Sequence, residues 1–493
     1  MFINFTFKVK RLKSFNINYI FMTLNKIFKY LKFNKKNYGK YILYLVFLYF
    51  VSAAVGLTGV FYLYDHLKEK YAKREYGIIH NQENVDIEKE NRIFSLEYFL
   101  FPKKNNISYK VKFTKKENYD IYDNYNISKF SNNLLTNSKN SRAKSSGYFD
   151  IYNDEKIIFA GGDGVFGYFD VNNFTKESFN MNLIRSNLKS IVNYQEFFSK
   201  GSLGVKDITV DNNEIYISYN KEVRKNCYNV SILKAKIDFS FLLFEEFFTY
   251  DECWEDTGIA RNRSGGRIFI KNDKKIIFSI GAYDIWTAPQ NLKSMFGSII
   301  EIDKKTKEYK VLSKGHRNPQ GLYYNKKYDI IVSTDHGSKR GDEVNIDLEP
   351  GSKIKNFGWP IASYGDHYDE DKDAIKDLYL IAPLHKSHKD YGFEEPAKYY
   401  KKNVAPSGII FVPEKFSKIK KSFFISGLGF SQPDGAKALY IVGFNDDFSK
   451  IIKEEMISIG ERIRDLKFLE KQNFLILFLE SSSSFALIKL LEN

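Results

Sequence analysis

The sequence predicts an all-β domain, a six-bladed β-propeller, preceded by a single transmembrane helix. Three observations predict it. Six pairs of short β-rich runs recur between residues 156 and 490, no long amphipathic helix separates them, and one 24-residue uncharged segment stands ahead of them.

The chain begins with a basic arm. Ten basic residues and no acid lie between Met1 and Lys40, which is two-thirds of the +15 formal charge and leaves +5 for the rest. No basic run interleaved with aromatics survives elsewhere, so nucleic acid is not an expected partner. Residues 41–64 (YILYLVFLYFVSAAVGLTGVFYLY) carry no charge. At about 1.5 Å per residue they can cross a hydrocarbon core of about 30 Å. The length favours an uncleaved anchor over a signal peptide, whose apolar run is about 7–15 residues. Ser52-Ala53-Ala54 nevertheless leaves cleavage open. The positive-inside rule puts residues 1–40 in the cytoplasm and the chain after Asp65 across the membrane, periplasmic or extracellular.

Residues 65–148 read as a polar stem followed by a linker, or an irregular first layer of the next domain. From 149 to 493 the texture changes. KIIFAGGDGVFGYFD, NEIYISYNKE with VSILKAKID, KKIIFSIGAYD with SIIEID, YDIIVSTDHG with DEVNIDL, SFFISGL with ALYIVGF, and NFLILFLESSSSFALIKL each give two β segments around a turn. Sheet units of this size suit a propeller, whose radial repetition leaves only short edges. A large sandwich is the plainer alternative.

One stretch carries unusual specificity. Gly315-His316-Arg317-Asn318-Pro319-Gln320-Gly321, Asp335-His336-Gly337-Ser338, Gly341-Asp342-Glu343 and Asn356-Phe357-Gly358-Trp359-Pro360 follow in order within about 45 residues. Arg317 offers a planar fork for a carboxylate, and Asn318 and Gln320 offer amide contacts. Gly337 frees backbone carbonyls, while Asp342 and Glu343 are hard oxygen donors suited to Ca²⁺. Each alone is ordinary turn chemistry.

Together the four resemble the soluble quinoprotein glucose/sorbosone (aldose sugar) dehydrogenases, over about residues 150–490. The resemblance implies a six-bladed propeller that binds pyrroloquinoline quinone (PQQ) over Ca²⁺ and oxidises an aldose at C1, passing electrons to a membrane acceptor. It implies that Arg317, Asn318, Lys437, Arg462 and Arg464 hold the cofactor. The carbonyls of Gly337 and Ser338 would bind the cofactor's Ca²⁺, and Asp342 with Glu343 a second, structural Ca²⁺. Lys437 follows an apparent insertion, GFSQPDG. Where the family carries a basic histidine in a His-x-Gly-Gly-Arg pattern, this chain has Arg263-Ser264-Gly265-Gly266-Arg267. Arginine stays protonated and cannot take a hydroxyl proton. The catalytic base is therefore unassigned. A propeller that has lost catalysis and binds carbohydrate or a protein is the alternative. Cys227 and Cys253 are either a bridge or two buried thiols.

Overall fold

Asn and Asp at hairpin corners adopt the left-handed conformation that tight turns require, as at Asn153, Asp154 and Asn212. Between such corners the β-branched and aromatic runs form antiparallel strands. The computed structural model describes residues 110–121, 125–132, 146–192, 204–255, 263–368, 376–413, 416, 419–429 and 436–490. The expected basic arm and membrane span, 1–64, lie outside the described residues. Among the described residues, no helix is long and apolar enough to cross a membrane.

The strands, in chain order, are β1 (Lys110–Ile121), β2 (Tyr125–Ser131), β3 (Gly147–Tyr152), β4 (Lys156–Gly161), β5 (Phe166–Asp170) and β6 (Ser178–Ser186). Next come β7 (Val205–Asp211), β8 (Glu214–Arg224), β9 (Cys227–Lys236), β10 (Phe241–Leu242), β11 (Glu245–Phe248) and β12 (Trp254–Glu255). A third group is β13 (Gly265–Asn272), β14 (Lys275–Ile280), β15 (Ser298–Asp303) and β16 (Tyr309–Lys314). A fourth is β17 (Pro319–Asn325), β18 (Ile330–Asp335), β19 (Asp342–Leu348), β20 (Lys355–Asn356) and β21 (Lys398–Tyr400). The last are β22 (Pro406–Phe411), β23 (Ser422–Gly427), β24 (Ala438–Phe444), β25 (Ile451–Ser458), β26 (Ile463–Leu469), β27 (Phe474–Leu479) and β28 (Ser484–Leu490).

Successive hairpins build meandering sheets: β7–β9 with β11, β13–β16 with β20, β17–β19 with β21, and β22–β25. The remaining sheet joins β26–β28 to β3–β6 through the hairpin β1–β2, which pairs with β28 on one side and β6 on the other. Residues 110–131, whose polarity reads as linker, are thus two strands of the domain. On β1 Val111 and Phe113 are buried on one face beside exposed Lys110 and Lys112, and on β2 Ile127 and Phe130 are buried on opposite faces, in the two neighbouring cores.

The leading strands β3, β7, β13, β17, β22 and β26 adjoin one another in a closed circuit. Apolar faces pack between neighbouring sheets; Ile158 and Phe166 meet Ile208, Ile217 and Leu233, and Phe424 and Ile441 meet Leu466, Leu475 and Leu477. Each such buried side chain contributes about 1.5–3 kcal/mol.

At the middle of the circuit lies Arg267, only 8% exposed. Its Nη1 donates to Asp207 (3.0 Å) and Asp465 (2.9 Å), and its Nε to the Gln320 carbonyl (2.7 Å). Nη2 donates to the carbonyls of Ser407 (3.1 Å) and Arg464 (3.0 Å). Asp465 in turn accepts the Phe149 N–H at 3.0 Å. One buried cation and its two carboxylates therefore tie all six leading strands.

Candidate active site

Antiparallel pairing puts the start of each leading strand beside the end of the next strand, as Pro319 beside Asp335 and Ile463 beside Leu479. The candidate residues gather at this end. Asp335, buried at the end of β18, accepts the backbone N–H of Asn318 (2.6 Å) and of Arg317 (3.0 Å). It also faces His316 Nδ1 at 3.3 Å, whose Nε2 meets Ser313 Oγ at 2.8 Å. His316 and Asp335 are thereby committed to shaping the loop that presents Arg317.

Arg317 is 5% exposed. Its Nη1 donates to the carbonyls of His336 (3.0 Å) and Gly337 (2.6 Å), and its guanidinium lies 5.3 Å from the Trp359 ring centre. Its buried Nε has no hydrogen-bond partner among the described residues. A buried, unsatisfied donor on a permanent cation costs free energy unless a ligand completes it. Asn318 Oδ1 accepts the Gly265 N–H at 3.1 Å and so links this loop to β13.

Arg462 and Arg464 converge as their alternate spacing predicts. Arg462 donates to Glu480 Oε1 through Nε (3.2 Å) and Nη2 (3.1 Å). Arg464 Nε pairs with Glu480 Oε2, and its Nη1 donates to Gln320 Oε1 at 2.9 Å. Burial pushes the Glu480 carboxyl up, but the two guanidinium groups outweigh it and hold the carboxyl below its usual range. His336 links the two halves: its Nε2 donates to the Pro406 carbonyl at 2.8 Å, which fixes the tautomer. Burial first, then the charges of Arg317 and Arg464, bring its pKa down to about 4, so the ring is neutral. Gln320, which accepts from Arg464, places its Nε2 3.5 Å from Asn318 Oδ1, and so joins Arg464 to the loop that presents Arg317.

Arg263 stands one turn of chain before β13 and pairs with Asp284; the side chains are 20% and 21% exposed. Burial and the neighbouring Arg317 bring its pKa down to about 10. It therefore remains a cation. Trp286, two residues beyond Asp284, packs on Trp359 at 5.4 Å, giving the site an aromatic wall.

The acidic pair is not brought together. Adjacent residues of a strand point to opposite faces. Asp342 accepts the N–H of Gly337 (3.1 Å) and of Ala405 (2.7 Å), while Glu343 faces His388 at 3.4 Å. Burial raises the Asp342 carboxyl to about 7. Among the described residues no cluster of three His, Cys, Asp or Glu is arranged to hold a metal ion. Ser338 Oγ donates to the Asp366 carbonyl, and the Gly337 carbonyl is engaged by Arg317. Lys437 contributes its carbonyl to the N–H groups of Ile459 and Gly460, and its amine makes no hydrogen bond or ion pair with a described residue. Glu480 and Asp284 were not singled out by the sequence, whereas Gln320 was, as an amide beside Asn318. Nothing in the local pattern of Glu480 or Asp284 distinguishes them from turn and strand residues.

A sequence model of the Glucose / Sorbosone dehydrogenase family matches residues 174–489, well over half of the chain. Aldose sugar dehydrogenase YliI of Escherichia coli is 27% identical over 222 residues, 42% of this chain and 54% of that protein. The chain thus spans about half the length of that relative. A Synechocystis protein of uncharacterised function is 27% identical over 313 residues, 56% of this chain and 68% of that protein. The solved apo-form of the soluble aldose sugar dehydrogenase of E. coli has a TM-score of 0.57 at 20% identity, covering 75% of this chain and 100% of that one. The PQQ-bound aldose sugar dehydrogenase of Streptomyces coelicolor has a TM-score of 0.50 at 16% identity, covering 70% and 94%. At these identities the structures speak to an all-β, propeller-type fold alone.

Proposed function

Because this chain belongs to the glucose/sorbosone dehydrogenase family, we propose that it is a six-bladed propeller enzyme that binds PQQ and oxidises an aldose at C1. The observation that carries the reading is the buried Arg317 with its unsatisfied Nε, on a loop joined through Gln320 to Arg464, which shares Glu480 with Arg462. Fixed guanidinium forks suit a tricarboxylated cofactor. Arg317, Asn318, Arg462 and Arg464 would hold it. When bound, the quinone supplies the two-electron acceptor for the sugar's C1 hydrogen.

Calcium fits this site less well. Asp342 and Glu343 serve opposite faces, so they offer no joint second site, and no step is derived through a cation. The carbonyls of Gly337 and Ser338 remain the candidates to meet Ca²⁺ beside the cofactor. The hydroxyl proton of the sugar needs an acceptor other than Arg263. Asp284, partly exposed and paired with that arginine, is the carboxylate at this place. The Trp286–Trp359 wall gives the sugar ring an apolar face to lie against.

The uncharged span 41–64 would anchor the enzyme, with residues 149–493 on the periplasmic or outer side and a membrane component accepting the electrons. Arg263 in the place of the family's histidine favours one second reading, a propeller that binds ligand without turnover.

The test is reconstitution of the purified chain with PQQ and Ca²⁺, followed by dye-linked oxidation of an aldose panel. Tight PQQ binding that Arg317→Ala and Arg462→Ala each weaken at least about tenfold supports the reading. Absence of PQQ binding overturns it. Binding with no turnover on any aldose leaves the second reading standing.

A further inference from the structure

Left-handed backbone is ordinary at exposed hairpin corners such as Asn153, Asp154 and Asn212, where a short polar residue tolerates it. Tyr283 is a different case: a bulky ring, 1% exposed, outside any strand, with φ +51°. Such a conformation persists only where the surroundings over-determine it. They do so here. The Tyr283 hydroxyl donates to Asn220 Oδ1 of β8 at 2.6 Å. Its ring stacks on Trp254 of β12, with 5.7 Å between centres and 23° between planes, and meets Phe296 edge-on at 5.3 Å. Its N–H donates to the Arg263 carbonyl at 3.0 Å, and the N–H of Ala282 to the Arg317 carbonyl at 2.8 Å. The Ile285 N–H then closes the turn on the Ala282 carbonyl at 3.0 Å. Asp284 is the residue inside that closed turn, next to Tyr283, with its carboxylate against Arg263.

Resting on the reading of Asp284 as the base of the proposed reaction, we propose that Tyr283 is its positioning residue. The locked left-handed turn aims the carboxylate at the sugar hydroxyl whose proton it takes. An aspartate has a single methylene, so its carboxylate goes where its backbone points. A turn free to relax to a right-handed conformation would swing it away. The clamp on Tyr283 comes from β8, β12 and the loop before β15, none of which carries a cofactor-binding candidate. The loop that presents Arg317 is fixed separately, by Asp335 through the N–H groups of Arg317 and Asn318. Loosening Tyr283 therefore disturbs the base and spares the arginines.

The test is a double-mutant cycle on the full chain reconstituted with PQQ and Ca²⁺, read as kcat and KM for an aldose and as PQQ affinity. Tyr283→Gly, which lets the turn relax, lowers kcat about a hundredfold, the weight of a misplaced reacting group. Tyr283→Phe keeps the ring, loses the bond to Asn220 and lowers kcat about three- to tenfold. It carries the test alone if the glycine variant does not fold. Both leave PQQ affinity and KM at their wild-type values. In an Asp284→Asn background neither lowers kcat further, because the group that Tyr283 acts through is gone. Wild-type kcat in the variants, equal losses on top of Asp284→Asn, or a matching loss of PQQ affinity overturns the inference and leaves the proposed function standing. Wild-type turnover in Asp284→Asn overturns the base and its positioning residue together. A wild-type chain that oxidises no aldose overturns both along with the proposed function.

Discussion

Arg263 and Asp284 divide one task between two charges. The arginine cannot accept a proton, and its contact with Asp284 leaves that carboxylate as the base the proposed reaction would use. Asp284→Asn is expected to lower turnover by about a hundredfold or more, the usual weight of a general base, without changing PQQ affinity. Steady-state turnover beside PQQ titration checks it, and a parallel fall in both would assign Asp284 to structure. Arg263→His restores a titratable base and is expected to make turnover depend on pH between about 6 and 7. Arg317, Arg462 and Arg464 stood out in the sequence because their motifs resemble those of a family, and the structure sets the last two on one carboxylate, Glu480. Asp284 and Glu480 did not. Their pairings exist only after segments far apart in the chain meet: Glu480 means little until Arg462 and Arg464 reach it, and Asp284 until Arg263 does.

At the scale of elements, the β-rich runs after residue 149 were legible because apolar and β-branched residues fill both faces of buried strands. The hairpin β1–β2 was hidden by its lysines, since an outer strand keeps one face wet. Its alternation is nevertheless present in Lys110-Val111-Lys112-Phe113. Phe113 stacks on Phe179 of β6 at 5.2 Å and meets Phe485 of β28 at 5.5 Å, so this hairpin is the seam between the chain's late and early sheets. A second tie is covalent. Cys227 at the start of β9 is bridged to Cys253 just before β12, 26 residues on. The geometry resolves the choice that the sequence left open. Replacing both cysteines by alanine is expected to lower unfolding free energy by about 2–4 kcal/mol. Denaturant midpoints measure this, and unchanged midpoints would show that the strand pairing of β12 with β9 already does the work.

At the scale of the whole domain, the central ion cluster sets the behaviour. Removing Arg267 leaves Asp207 and Asp465 buried together without their hydrogen-bonded cation, the remaining charge nearby, Lys467, being paired with Asp150. Arg267→Met is expected to cost about 3–5 kcal/mol. Its pH dependence follows from Asp207, which burial raises from 3.8 to about 6 even with the arginine beside it. Without the arginine the native Asp207 carboxyl binds its proton still more tightly than the unfolded one. Stability of the variant is therefore greatest near pH 4 and falls as pH rises through 6, and thermal melts at pH 5 and 8 should show the larger deficit at pH 8. A deficit independent of pH would contradict the assignment.

The same cluster decides how the domain comes apart. In a linear array of repeats each unit touches only its neighbours, and the ends fray first. Here the circuit has no terminal unit, and a single guanidinium holds strands as distant in sequence as β7 and β26. Opening any one sheet strands buried charge shared by all the others. The free-energy surface thus lacks a ladder of partly open states, and heat should release the domain in one event whose van 't Hoff and calorimetric enthalpies agree.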